Sequence, residues 1–386
     1  MRKSLSILTS LFSIPIAIAC GGGSSTEPPA VTGGDAAVDA IPSGDAASGG
    51  DDGGGGPTDA AGDASSAPPM APFPADGALF GAFVNQGTTT PEAVAQELGR
   101  PLAFEMAYFA WGDDFSTAKQ GWLPAVLARR AIPELSWQLD GSDDCSGVHF
   151  DDVTTGAQDN VIRAAARALK AVAPSWVLLR PWWEMNGGWY CTNVKHQSTP
   201  GTCDGTQKYV AAWRHVHDLF VSEGATNVRW IWAPSHQDPG DSKCNHWSLY
   251  YPGDAYVDAV GVDGYNKFRI GDGGGPDANM PWTSFHDIFQ PIYDEYATKP
   301  FIVAETASAE DPATDGRKAQ WITDALAAMK TMPRLKAFTW FIKGPVKGDP
   351  DDYSLCTSQG AFDAYAAMAN DPFFGGTGAK AAYTCR

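Results

Sequence analysis

The chain is 386 residues long, and 44% of them are hydrophobic and 11% aromatic, which is enough for a large packed core. Its 27 Lys and Arg are opposed by 45 Asp and Glu, giving a formal net charge of −18. Nucleic acids and anionic membranes attract positively charged surfaces, so this balance argues against either as a partner. Nine of the acidic residues lie between positions 21 and 76, a stretch that contains no Lys or Arg.

The N-terminus has the pattern of an export signal. Positions 2 and 3 are basic, and an apolar run of 15 residues follows and ends at Cys20. That run is shorter than the about 20 residues that a transmembrane helix needs. Its last four residues, AIAC, resemble the lipobox of bacterial lipoproteins, in which the cysteine becomes the lipid-bearing N-terminus. We therefore expect residues 1–20 to be a lipoprotein signal peptide and Cys20 to be a lipid anchor at the cell envelope, with plain secretion as the alternative.

Residues 21–76 have the composition of a linker. Of these 56 residues, 47 are Gly, Ala, Asp, Ser or Pro, and Phe73 is the single aromatic residue. Such a segment cannot bury enough apolar surface to offset the entropy lost on ordering. We expect a disordered tether that joins the lipid anchor to one folded domain of residues 77–386.

From residue 77 onward, short apolar strands alternate with amphipathic helical segments. Strands such as FIVAE and WVLLR are apolar almost throughout, as parallel strands covered on both faces must be. Eight such units in about 310 residues predict an α/β fold, a (β/α)8 TIM barrel. The predicted strands are Leu79–Val84, Leu102–Phe109, Ile132–Gln138, Val177–Glu184, Val228–Ala233, Val257–Gly264, Phe301–Glu305 and Leu335–Phe341.

The chemistry of a TIM barrel lies at the carboxyl ends of its strands. Aromatic and acidic residues crowd these ends, and period-two alternation predicts that Glu184 on strand four and Glu305 on strand seven face the barrel axis. Alternation puts Arg180 and Trp182 on the side of Glu184, and Phe301 and Val303 on the side of Glu305. The candidate sugar contacts at the strand ends are Trp137, Trp183, Asn186, Trp232, Asp263, Tyr265 and Trp340.

Two converging carboxyl groups beside Trp rings suit the cleavage of a glycosidic bond. One carboxyl protonates the leaving oxygen and the other attacks the anomeric carbon, while Trp faces offer apolar surface to sugar rings. Glu105 and Asp140 are further acidic candidates, for which an ion pair or a loop cap is equally expected. The spacing of His, Asp and Glu suggests no catalytic metal, and this chemistry needs neither metal nor cofactor.

Several segments resemble glycoside hydrolase family 26. They include RPWWEMNG around Glu184, NVRWIWAP, DAVGVDGYN around Tyr265, and FIVAETAS around Glu305. The resemblance implies a retaining (β/α)8 glycosidase with Glu184 as acid/base and Glu305 as nucleophile. It further implies that Tyr265 donates a hydrogen bond to the nucleophile and that Trp340 is the platform beneath the reacting sugar.

One position departs from the family pattern and leaves the substrate open. Mannanases of this family usually carry His directly before the acid/base, where this chain has Trp183. We expect a monomeric endo-acting β-glycanase whose partner is a polysaccharide, with β-1,4-mannan favoured. The alternatives are β-xylan or mixed-linkage β-glucan with the same mechanism, and a surface lipoprotein that binds glycans without catalysis.

Six cysteines follow Cys20, an even number that favours three disulfides in an exported protein. Cys356 and Cys385 flank the last predicted helix and are expected to pair with each other. The other four lie in loops after strands three, four and five, and we expect the pairs Cys191–Cys203 and Cys145–Cys244. Bridges across neighbouring loops remain the alternative.

Overall fold

A computed structural model describes residues 72–84, 89–142, 144–237, 242–270, 277–344, 352–378 and 383–385. These residues belong to a compact unit of residues 68–386. The predicted signal peptide, Cys20 and positions 21–71 of the predicted linker lie outside the described residues. None of the helices in the described ranges has both the length and the apolar character needed to cross a membrane.

Eight parallel strands close into a barrel in chain order, so the predicted TIM barrel is confirmed. Every strand pairs with its sequence neighbours, and the first pairs with the last. The strands are β1 (Leu79–Val84), β2 (Phe104–Phe109), β3 (Ile132–Trp137), β4 (Val177–Pro181), β5 (Val228–Trp232), β6 (Ala259–Asn266), β7 (Phe301–Ser308) and β8 (Leu335–Ile342).

Helices follow the strands and cover the outside of the barrel. Their ends carry ordinary capping signals: Thr90 accepts a hydrogen bond from the backbone at the start of the first helix, and Gly99 ends it in the left-handed conformation. The α-helices are α1 (Pro91–Leu98), α2 (Ala118–Ala128), α3 (Phe150–Thr154), α4 (Asp159–Lys170), α5 (Val194–Gln197), α6 (Gly205–Glu223), α7 (Ser242–Asn245), α8 (Phe285–Glu295), α9 (Arg317–Met329) and α10 (Gln359–Ala369).

The apolar core has two layers. The larger layer lies between the strands and the helices, and a smaller cluster fills the barrel interior with side chains such as Leu178, Ile231 and Ile302. Phe73, the single aromatic residue of the predicted linker, is 5% exposed and belongs to the interior cluster. The packed domain therefore begins by Phe73, a few residues before the predicted boundary at position 77.

The register of β7 differs from simple alternation. Val262 pairs with Val303, but the next residue, Asp263, pairs with Glu305, so β7 carries an extra residue at Ala304. Such a β-bulge re-aims the side chains that follow it. Phe301 and Val303, before the bulge, pack toward the helices, while Glu305, after it, contacts residues of the barrel interior. The prediction that Glu305 shares a side with Phe301 and Val303 is wrong.

Three disulfides are formed, but only one of the predicted pairs is confirmed. Cys356 pairs with Cys385 across α10, as expected. The pairs Cys191–Cys203 and Cys145–Cys244 are wrong, because Cys145 pairs with Cys191 and Cys203 pairs with Cys244. The short helix α5 lies between Cys191 and Cys203 in the chain, and each cysteine bridges to a neighbouring loop. The loops after β3, β4 and β5 are thereby linked in series.

Candidate active site

Glu305 stands inside the carboxyl end of the barrel and accepts three hydrogen bonds. Tyr108 at the end of β2 donates to its Oε1 at 2.5 Å, and Tyr265 on β6 donates to its Oε2 at 2.5 Å. The guanidinium of Arg180 on β4 donates to Oε1 as well. Donors from three strands thus fix both oxygens of a carboxylate that is 3% exposed.

Arg180 is fully buried and forms ion pairs with three carboxyl groups, those of Glu134, Asp263 and Glu305. Among the described residues of the barrel interior, it is the only cation that these groups share. Its Nη1 donates to both oxygens of Asp263, at 2.6 and 2.8 Å. Its Nε and Nη2 donate to the hydroxyl oxygen of Ser136, at 2.9 and 2.8 Å. Burial raises the pKa of the Asp263 carboxyl, and the two bonds from Arg180 act against that shift.

Glu184 occupies a different environment just beyond β4. It is partly buried, and its backbone has φ of 50°, in the left-handed region that residues other than glycine rarely adopt. Its amide donates to the carbonyl of Ala233, and the indole N–H of Trp189 donates to its Oε2 at 2.7 Å. Burial, and after it the charge of Glu305, raise the pKa of Glu184 to about 7. A carboxyl with this pKa can hold a proton at neutral pH, as a general acid must.

The left-handed turn beyond β4 also directs the two neighbouring tryptophans, Trp182 and Trp183, to opposite sides of the barrel wall. Trp182 has φ of 51°, and its ring packs outward against Phe150 and Tyr209 of the helical layer. The prediction that Trp182 shares the side of Glu184 is therefore wrong, because regular strand geometry ends at Pro181. Trp183 faces inward.

Trp183 forms part of the interior wall beside Glu305. The centroid of its ring lies 4.9 Å from the centroid of the Tyr108 ring. The guanidinium carbon of Arg180 lies 5.5 Å from the same Trp183 centroid. Its indole N–H donates to the hydroxyl of Tyr190 at 3.2 Å. The large ring at the position of the family's usual His is thus packed into the site.

A second buried acid lies deeper in the barrel. Glu134 on β3 is 0% exposed, and its Oε1 is 3.5 Å from Nε of Arg180. Among the described atoms, neither carboxyl oxygen of Glu134 has a hydrogen-bond partner. Burial raises the pKa of Glu134 to about 7, and the charge of Glu305 adds to the increase while Arg180 opposes it.

Three predicted sugar contacts face away from this site. Trp137, Trp232 and Trp340 are at most 1% exposed and belong to the layer between strands and helices. Trp137 stacks on Trp111 with ring centroids 4.2 Å apart, and Trp232 packs on Tyr251 and Tyr296. In each of these strands, the residues directly before and after an outward-facing residue point inward, and these three Trp residues occupy outward-facing positions. Their rings therefore do not reach the barrel mouth.

Trp340 was the expected platform, but it packs against Tyr365 of α10 and Trp321 of α9. Its indole N–H donates to the carbonyl of Tyr353 at 3.1 Å. The aromatic residue of β8 that lies near the site is Phe341, whose ring contacts Tyr265 and Phe83.

The remaining candidates divide between the site and the scaffold. Asp263 and Tyr265 lie in the site, as alternation along β6 predicts. Asn186 is fully buried and exchanges hydrogen bonds with the backbone of Ser235, so it joins the loops after β4 and β5. Glu105 forms an ion pair with Arg129, and Asp140 caps its own loop by accepting from the backbone of residues 142 and 147.

Sequence reasoning assigned no function to several residues of this site. The sequence patterns predict no role for Tyr108, Ser136 or Glu134. For Arg180, alternation predicts only the side of the strand on which it lies. Their common feature is a polar side chain within a strand that is otherwise apolar on both faces. No group of three or more potential metal ligands occurs among the described side chains.

Comparison with known proteins gives two kinds of match. Residues 143–275 match the profile of Glycosyl hydrolase family 26. The chain is 32% identical over 296 residues to Endoglucanase H of Acetivibrio thermocellus, a match that covers 75% of this chain. It is also 34% identical over 93 residues, 23% of this chain, to Mannan endo-1,4-beta-mannosidase A and B of Caldalkalibacillus mannanilyticus. These matches support a place in glycosyl hydrolase family 26.

The curated relatives are longer proteins, and the match spans 30% of the endoglucanase and 16% of the mannosidase. Among solved structures, a family 26 β-mannanase from Bacteroides ovatus is similar with a TM-score of 0.54. That match has 18% identity and covers 77% of this chain and 90% of the mannanase. A Bacillus subtilis mannanase gives a TM-score of 0.53, also at 18% identity, with coverage of 77% and 85%. At this identity the likeness concerns the fold.

Proposed function

We propose that the barrel is a retaining endo-β-glycanase that uses Glu184 as acid/base and Glu305 as nucleophile, with β-1,4-mannan as its favoured substrate. The observation that carries the proposal is the contrast between the two carboxyl groups. Glu305 accepts bonds from one guanidinium and two hydroxyls, whereas burial raises the pKa of Glu184 to about 7. One group is suited to attack and the other to donate a proton at the same pH.

In the first step, the Glu305 carboxylate forms a bond to the anomeric carbon as the glycosidic C–O bond breaks. Glu184 gives its proton to the leaving oxygen. In the second step, Glu184 takes a proton from water, whose oxygen attacks the anomeric carbon and releases Glu305. Tyr108, Tyr265 and Arg180 hold the nucleophile's oxygens, so its orientation does not depend on substrate binding.

The second candidate substrate is mixed-linkage β-glucan. It is favoured by the endoglucanase relative, which matches 75% of this chain, and by Trp183, which fills the position where mannanases of the family usually have His. β-Xylan is the third candidate polymer. These polymers differ in the configuration of their sugar hydroxyls and in their linkages. The side chains around Glu305 would determine which of these features can bind.

Release of reducing ends from purified mannan, galactomannan, β-xylan, mixed-linkage β-glucan and cellulose tests the activity and the substrate together. Glu305→Ala should lower turnover by about 10⁴-fold or more. Azide should then restore cleavage and give a glycosyl azide of inverted configuration. Glu105→Ala is the matched control, since Glu105 is also a buried strand carboxylate but pairs with Arg129 behind β2.

Two results would contradict the proposal. Near-normal activity of Glu305→Ala without azide would exclude it as the nucleophile. Retention of a polysaccharide on an affinity gel, with no reducing ends released from any of the five polymers, would favour the glycan-binding alternative.

Export and lipid anchoring at Cys20 are part of the same proposal, because an anchored glycanase meets polymers that cannot enter the cell. Cys20→Ala should move the protein from the membrane fraction to the soluble fraction. An unchanged distribution between the fractions would exclude the anchor.

A further inference from the structure

Glu134 is a buried acid that the proposed reaction does not use. It lies on β3 beneath the reacting groups, with 0% exposure and with no hydrogen-bond partner for either oxygen among the described atoms. A buried carboxylate without donors is expensive, and the group then keeps its proton or finds a counter-ion. The nearest counter-ion is Arg180, whose Nε is 3.5 Å from Oε1 of Glu134.

The N–H group of Arg180 that lies nearest to Glu134 is already engaged with Ser136. A guanidinium carries five N–H donors. Nε has a single hydrogen and donates it to Ser136, while Nη1 donates to both oxygens of Asp263 and Nη2 donates to Ser136 and to Glu305. A carboxylate at Glu134 would therefore have to take a hydrogen bond away from an existing acceptor.

The charges around Arg180 also favour a protonated Glu134. Three carboxyl groups face one guanidinium: Glu134 from β3, Asp263 from β6 and Glu305 from β7. Asp263 receives two N–H bonds, and Glu305 receives one N–H and two O–H bonds. A proton held by this cluster falls to the carboxyl with the fewest donors, which is Glu134.

From this geometry we infer that Glu134 is a positioning residue of the nucleophile: by staying a neutral acid, it leaves every N–H group of Arg180 to its present acceptors, Glu305 among them. The inference rests on the proposed function, because it assigns Glu305 as the group to be positioned. Glu134 acts through Arg180 and does not touch the substrate.

The consequence is that kcat/KM should depend on a second ionisation, that of Glu134, which lies deeper in the barrel than Glu184 and Glu305. An ionised Glu134 would draw Nε of Arg180 away from Ser136 and turn the guanidinium relative to Glu305. The pKa of Glu134 is raised to about 7, close to that of the proposed acid/base Glu184. The alkaline limb of kcat/KM should therefore contain two ionisations.

Glu134→Gln removes one of them and keeps the neutral shape. At about pH 6 this variant should retain activity within about threefold of wild type, since Gln resembles the protonated acid. At about pH 8, one unit above the two pKa values, each ionised group costs about tenfold, so the variant should keep about tenfold more of its pH 6 activity than wild type. Its alkaline limb should follow a single ionisation.

The test substrate is whichever polysaccharide of the five-polymer panel is cleaved. Alkaline limbs that superimpose for the two proteins would overturn the inference. A loss of more than about tenfold at pH 6 with an unchanged thermal midpoint would overturn it too, because the carboxylate would then be the active form. Glu105→Gln, behind β2, is the control and should leave the slope of the limb unchanged. If Glu134→Gln does not fold, Glu134→Met offers an apolar side chain of similar length, with the same expectation.

An infrared titration separates this inference from the proposed function. Wild-type protein without substrate should show protonated-carboxyl stretches of Glu134 and Glu184 that disappear with midpoints near pKa values of about 7. In Glu134→Gln the Glu184 band should remain, so the wild-type-minus-variant spectrum should isolate one titrating carboxyl. If no polysaccharide is cleaved, this measurement still decides the protonation state. An identical carboxyl band in both proteins across the titration would overturn the inference whether or not the barrel is a glycanase.

Discussion

Glu134 also gives the barrel a pH-dependent stability, which can be measured without any substrate. The folded state raises the pKa of this carboxyl from 4.5 to about 7. Folded protein therefore binds a proton more tightly than unfolded protein, and its contribution is most favourable below the unfolded pKa. That contribution is lost as the pH rises through the folded pKa. Replacement by Gln removes the titrating group from both states.

The size of the effect follows from the shift. One pKa unit corresponds to about 1.4 kcal/mol, so the full shift is worth about 3 kcal/mol as an order of magnitude. Most of it falls between about pH 5 and about pH 8, where the difference in unfolding free energy between Glu134→Gln and wild type should move by about 2–3 kcal/mol in favour of the variant. For a domain of this size the thermal midpoint should shift by about 5 °C relative to wild type.

Urea unfolding followed by tryptophan fluorescence is the assay, at several pH values across that window. All 14 tryptophans lie beyond residue 110, so the signal reports on the barrel. Taking the difference between the two proteins cancels groups that titrate in both, including Glu184. Stability curves that stay parallel from pH 5 to pH 8 would refute the reasoning, as would a variant that becomes relatively less stable at pH 8.

Four further changes test the contacts around the site. Trp189→Phe removes the N–H that lowers the pKa of Glu184, so the alkaline limb of kcat/KM should move to higher pH; a limb that stays or falls would exclude this contact. Tyr265→Phe removes a hydroxyl bonded to Glu305 and should reduce kcat/KM by about 10–100-fold, the value of a hydrogen bond to a charged group, with Tyr108→Phe as comparison. Trp340→Ala should cost about 3–5 kcal/mol of stability in urea unfolding, while kcat/KM of the folded protein stays within about threefold; a large kinetic loss with unchanged stability would return Trp340 to the site. The double variant Cys145→Ser, Cys191→Ser opens a bridge that spans 46 residues and should lose about 4 kcal/mol in unfolding; a loss below about 1 kcal/mol would mean that the bridge adds little.

The closed barrel and all eight strands could be predicted because each unit repeats a strong local pattern. The direction of individual side chains was harder, since strands of a parallel barrel are apolar on both faces and alternation alone does not say which face is inside. On β3 the polar pair Glu134 and Ser136 shares one parity and Trp137 has the other. Charged and hydroxyl side chains inside an apolar strand would have marked the interior face.

That signal has exceptions with physical causes. Glu105 is polar but lies behind β2, because Arg129 offers it an ion pair there. On β7 the bulge at Ala304 reverses the parity, so Glu305 was predicted to face the axis for the wrong reason. Beyond Pro181, two left-handed residues end the alternation on β4. Bulges and left-handed turns depend on pairing with neighbouring strands, which a single strand's sequence does not contain.

The aromatic residues at the rim serve two separate purposes, and the distinction changes which of them can contact sugar. Trp137, Trp182 and Trp340 press outward into the helical layer, where their rings fix the strand ends from behind. The rings around Glu305 are those of Tyr108, Trp183 and Tyr265, and their packing partners include Phe341.

Of the tryptophans near Glu184, Trp189 is 41% exposed, and its indole N–H donates to Glu184, the proposed acid/base. In the proposed reaction, a sugar on the leaving-group side of the bond would contact Trp189, and its binding would affect the proton that Glu184 donates. Under that proposal, substrate contact and the pKa of Glu184 would depend on the same indole, and the polymer that is bound would influence the pH dependence of its cleavage.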